Sequence, residues 1–136
     1  FFGGYNMTVR QLYEAGCYLV YEVPDDDDEL KDAFPSILNQ LVEICRPYEN
    51  QFRRNEGAED MTAPFYTTAD DENELPFHEV IARAALPFGV QSKFYEADDD
   101  KKAESVLAYN KFIDALNSMA PAIETDVMGV DMDEYA

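Results

Sequence analysis

Hydrophobic positions along this chain recur mostly at three- and four-residue intervals, the spacing of one helix face. Val9, Leu12, Gly16, Leu19 and Val23 keep that repeat, and Tyr13, Cys17 and Val20 broaden the stripe. They predict a first helix over 8–23, capped by Asn6 or Thr8 and ended by Pro24 and the acidic run that follows. Phe34, Ile37, Leu41, Ile44 and Tyr48 form a second seam, widened by Leu38, Cys45 and Phe52. They predict a helix over 35–54, with Pro35 in its first turn, where a missing N–H costs nothing. Residues 28–34 read as a separate helical turn leading in, and Pro47 predicts a kink around 43–46.

A third helix is expected over 75–96, from Phe77, Val80, Ile81, Ala84, Ala85, Phe88 and Phe94. Pro76 fits its first turn, and Pro87 with Gly89 predicts a kink or break. A fourth is expected over 100–119 on Val106, Tyr109, Ile113, Leu116 and Ala120, stopped by Pro121. Residues 56–73 have no period and read as a polar linker whose Ala63-Pro64-Phe65-Tyr66 segment lays its aromatics over the helices. Residues 125–136 read as an extended acidic tail. No alternating β-branched run is bounded by a hairpin turn. Four amphipathic segments of comparable length predict an all-α fold, an up-down-up-down four-helix bundle forming one domain over 1–136. Its core is expected to contain Leu12, Leu19, Leu41, Ile44, Val80, Ile81, Ile113 and Leu116.

Charge adds a second pattern. The chain has 29 acidic residues against 10 basic ones, a net charge of −19. Most of the acids fall outside the predicted helices, in the connections and the tail. Asp25, Asp26, Asp27 and Asp28 lie between the first two helices, and Asp98, Asp99 and Asp100 between the last two. In an up-down bundle these two connections share one end, and the linker, N-terminus and tail share the other. The seven aspartates are therefore candidate docking residues for a basic protein surface, steering encounter by charge. A merely solvated surface is the plain alternative. The same charge argues against nucleic-acid backbones and anionic lipid as partners. No apolar run is long enough for membrane insertion.

Candidate chemistry is sparse. Asp25 to Asp28 precede a stretch resembling an entering EF-hand helix, but no alternating Asp loop with a central glycine exists. His78 is the single histidine, too few for a di-iron bundle or a zinc site. No motif surrounds Cys17 or Cys45 as a nucleophile, and no glycine-rich loop is built to cradle phosphate. The expectation is a non-enzymatic protein without a metal or cofactor. The two cysteines read as buried thiols, with one disulfide between the first two helices as the alternative. The start at Phe1-Phe2-Gly3-Gly4 predicts a processed chain or a fragment.

A non-Met start, an acidic helical bundle, and a last helix reading Ala103-Glu104-Ser105-Val106-Leu107-Ala108-Tyr109-Asn110-Lys111-Phe112-Ile113-Asp114-Ala115-Leu116 together resemble one family. They look like the lumenal extrinsic proteins of photosystem II, the Q-type subunit and its algal relatives. Pro47-Tyr48 ahead of Arg53-Arg54 is a fainter echo. The resemblance spans 8–119. It implies a four-helix bundle in the chloroplast thylakoid lumen, peripheral to the membrane. It also implies a non-enzymatic accessory subunit that docks on protein subunits of a membrane-bound complex and shields a cofactor or ion site. Plant members carry a long N-terminal extension and are more basic, so no binding residue is carried over. Two other classes fit the charge: a nucleic-acid mimic that blocks a DNA-binding protein, and a haloadapted soluble interaction protein. The mimic reading suffers because its carboxylates should be spaced along a rod face.

Overall fold

The helix boundaries follow from caps more than from prolines. The computed structural model describes residues 6–128, with side chains through 119. Among these the chain is all-α: α1 (Val9–Leu19), α2 (Asp28–Asn55), α3 (Leu86–Glu96) and α4 (Lys102–Met128). Thr8, not Asn6, caps α1. Its hydroxyl accepts from the Gln11 N–H, and the Gln11 side chain returns a bond to the Thr8 N–H at 2.9 Å. That reciprocal pair satisfies two donors that a helix start leaves open. The N–H groups of Val9 and Arg10 donate to the carbonyls of Asn73 and Asp71, so the linker covers the rest of that helix end.

Several expected boundaries are corrected. First, α1 stops at Leu19 and not at 23. Tyr21 takes a left-handed φ of 63°, and the Glu22 N–H folds back to the Cys17 carbonyl. Secondly, α2 begins at Asp28 rather than Pro35, because Asp27 caps it by accepting from the Leu30 N–H at 3.1 Å. Asp28 and Glu29 then sit in the first turn, where carboxylates suit the helix dipole. Both Pro35 and Pro47 lie inside this one continuous helix. Thirdly, α4 runs through Pro121 to Met128. A proline removes a single N–H from the ladder, and the flanking turns carry the helix on. Residues 125–128 are thus helical rather than extended, and 129–136 lie outside the described residues.

The expected third helix is shorter and has two characters. Residues 75–78 are not helical, since Asn6 clamps the carbonyls of Leu75 and Phe77 through its amide nitrogen. A π-helical turn, Ile81–Ala85, then leads directly into α3. The Leu86 N–H reaches back five residues to the Ile81 carbonyl. The wide turn sits immediately before Pro87, which has no N–H to offer an ordinary one. The kink or break predicted at this proline is thus a change of helix type.

α3 lies at the centre of the fold. It packs most extensively on α4, then on α1, and less on α2, while α1 and α2 barely meet. The core holds Leu12, Leu41, Ile81 and Leu116 as expected. Leu19, Ile44 and Ile113 are half-buried, and Val80 is exposed, because Ile81 and Ala82 take the inward positions and Val80 lies a further turn of about 100° round the helix. α4 is rotated from its predicted seam. Ala108, Phe112, Leu116 and Met119 face in, while Val106 and Tyr109 are exposed. The reason is Gly89: a side chain there would press on Phe112 and Leu41 at 3.1–3.2 Å. The bare backbone is a notch that receives the Phe112 ring and sets the rotation. Ser92 and Ser105 pin the same interface by exchanging hydroxyl-to-carbonyl bonds of 2.9 and 2.8 Å.

Cys17 and Cys45 are buried free thiols, not a disulfide. Within the linker, Tyr66 is buried as expected, but Phe65 is 80% exposed. Among the described residues no helix is long and apolar enough to cross a membrane.

Candidate functional site

The expectation that the acidic connections meet at one end is only half of what the fold does. α1 is short, so the segment after it turns back along its side. The Asp25 N–H reaches the Tyr13 hydroxyl, and the Asp25 carboxylate pairs with the Arg10 guanidinium through two bonds of 2.7 and 2.9 Å. Arg10 also holds Asp70 at 2.8 Å, and Lys31 bridges the same two aspartates at 3.0 and 3.2 Å. The first connection and the linker are therefore stitched together, against the separation an up-down arrangement predicts. Arg10 and Lys31 hold the Asp25 carboxyl well below its usual range, and Asp25, foremost, drives the Arg10 pKa up.

The other part of that connection meets the segment after α3. Together they form a groove of about 490 Å³. Tyr21, Phe94 and Tyr95 supply aromatic surface, and Glu22, Asp27, Glu29 and Asp98 supply carboxylates. Tyr21 is 91% exposed, an unusual position for a large aromatic. Lys101 is the one cation of the lining; its Nζ lies 6.0 Å from the centre of the Tyr95 ring. It is also 3.7 Å from Glu104.

The seven aspartates thus separate by role. Asp25 is an ion-pair hub, and Asp27 caps α2 while lining the groove. Asp98 caps the short 3-10 turn Asp99–Lys101, accepting from the Asp100 N–H at 2.9 Å, and lines the groove from the opposite side. Asp26, Asp28, Asp99 and Asp100 are exposed and outside the groove lining. Both acidic segments are legible in the sequence, and its tyrosines are too many all to face inward, but that Tyr21 and Tyr95 lie between those segments is not legible there. Tyr21 carried a signal, since it falls off the α1 stripe.

A second cluster was missed entirely. Glu49, in the body of α2, is 1% exposed. It accepts from the His78 backbone N–H at 2.7 Å and from Arg53 Nε at 2.6 Å. His78 Nδ1 lies 3.0 Å from both Glu49 oxygens, and Nε2 lies 2.9 Å from Glu56. Arg53 also donates to the Pro76 carbonyl at 2.8 Å, and Phe52 stacks on the imidazole at 4.9 Å. Both ring nitrogens face acceptor-only carboxylates, so only the imidazolium donates to both. Burial pulls the His78 pKa down, and the bonds to Glu49 and Glu56 more than reverse it. The adjoining recess is about 220 Å³, and the polar groups beside it are already partnered within the chain. The cluster is a clasp that fastens the linker to α2. In sequence its one sign was Glu49 continuing the Leu38, Leu41 and Cys45 spacing, with Arg53 four residues on.

Among the described residues no three His, Cys, Asp or Glu side chains are grouped to hold a metal ion. No protein-family model matches the chain, and no curated protein or solved structure matches it. The site must be read from its own chemistry.

Proposed function

We propose that this chain is a non-enzymatic docking subunit whose acidic groove holds a basic segment of a protein partner. The observation that carries this reading is the groove itself, where carboxylates from two connections flank the exposed ring of Tyr21 and the half-buried ring of Tyr95. Aromatic residues anchor protein interfaces, and complementary charge raises the encounter rate. A net charge of −19 extends that attraction beyond the groove and repels nucleic acid and anionic lipid.

The finer proposal is that the partner is a photosynthetic membrane complex and that the chain attaches from the thylakoid lumen, stabilising the assembly or shielding a cofactor or ion site. The resemblance of the last helix to the Q-type lumenal subunits supports it. The test is fractionation of thylakoids from the source organism with an antibody against this chain. Recovery with the supercomplexes, and release by a wash at about 1 M salt, where charge attraction reaches only about 3 Å, is the expected result. Recovery wholly outside the thylakoids overturns the lumenal proposal. Attachment indifferent to salt overturns docking by charge.

A further inference from the structure

We infer that the groove is built for an arginine side chain of the partner, and that Lys101 occupies the same aromatic surface until the partner displaces it. This rests on the docking reading above and assigns its occupant. Tyr95 already carries a cation on its face, but at 6.0 Å, the outer limit of a cation–π contact. The Lys101–Glu104 pair is equally loose at 3.7 Å. Lys101 is therefore weakly held, with Asp98 and Glu29 in the same groove lining. A guanidinium fits these surroundings better than an ammonium does. Its plane stacks on a ring while its edge donates in pairs to carboxylates. The groove's volume of about 490 Å³ lies within the range of about 300–1,000 Å³ typical of ligand pockets, so a side chain enters with part of its backbone. Its four carboxylates against one amine select a cationic occupant.

The experiment is titration of the full chain with acetyl-Gly-Arg-Gly-Arg-Gly-amide, followed by calorimetry and amide NMR shifts. The same peptide with citrulline for arginine serves as the neutral isostere. Binding of the arginine peptide at Tyr21, Tyr95 and Asp98, without binding of the citrulline peptide, is expected. Tyr95→Leu, or Tyr21→Leu where the first loses its fold, keeps the apolar bulk and removes the π face. It should weaken binding about 2–5-fold, the range of an exposed cation–π contact. Lys101→Gln should tighten binding more than Lys102→Gln, which makes the same charge change away from the ring. Equal tightening by the two lysine variants overturns the competitor role. Unchanged affinity in both tyrosine variants, equal binding of a lysine peptide, or shifts mapping elsewhere overturns the arginine site. Either failure leaves salt-released attachment to the complex standing, whereas failure of the fractionation test leaves peptide binding to be read independently.

Discussion

Leu116 is fully buried in the core that α4 shares with the other helices. Leu116→Ala deletes apolar contacts and leaves a void, so urea unfolding should register a loss of about 2–5 kcal/mol. A loss below about 0.5 kcal/mol would mean that α4 does not present this face. His78 gives a pH prediction. Its folded pKa is raised above the ordinary 6.5, so its stabilisation is complete below 6.5 and is lost as pH rises through the folded value. His78 is the sole histidine, and burial raises both the Cys17 and Cys45 thiols, the latter to about 12. Thermal unfolding should therefore show Tm falling as pH rises from 6.5 toward neutrality and beyond. His78→Gln should flatten that slope. An unchanged slope in the variant would assign the titration to another group.

The elements meet where side chains are absent. At Gly16 on α1 an added Cβ would lie 2.3 Å from a Val90 methyl on α3. Val90 is fully buried and β-branched, so its χ1 has little freedom to yield. Gly16→Ala should destabilise by about 1–3 kcal/mol despite its better helix propensity. Equilibrium unfolding checks this, and a stabilised variant would show that the α1–α3 approach is looser than described. Gly89 plays the corresponding part for α4, with gentler spacing. The π turn before Pro87 shows the same economy: the helix accommodates a residue without an N–H by widening one turn.

Charge belongs to the whole molecule, yet the aspartates do not act alike. Removing all four charges from Asp25 to Asp28 would also remove the pairs that Asp25 makes with Arg10 and Lys31. Asp26→Asn with Asp28→Asn is the cleaner change, since both are exposed and outside those pairs. Folding stability should change by less than about 1 kcal/mol, because relief of like-charge repulsion offsets the loss of the Asp28 carboxylate from the first turn of α2. Association with the partner should slow at low salt and converge with the unmodified chain as salt rises, because screening reaches about 10 Å at 0.1 M. Stopped-flow association rates check both limbs. Equal rates at low salt would leave these two residues as solvated surface.

Periodicity alone determined that this chain is all-α, and it picked out Leu12, Leu41, Ile81 and Leu116 as core, because a buried helix face must repeat near every 3.6 residues. Composition determined its sign of charge. Local capping decided where α1 and α2 begin, and only tertiary structure decided how the helices are turned. Asp27 outranks Pro35 because a cap is a local geometry that prolines do not announce. Phe112 outranks Val106 and Tyr109 because Gly89, on another helix, leaves room for its ring. The clasp of Glu49 with His78 joins residues 29 apart, and the groove joins 21 and 22 to 95 and 98. Burying a carboxylate is tolerable only where partners converge on it. Convergence from distant segments is a property of the folded chain, and no local pattern carries it.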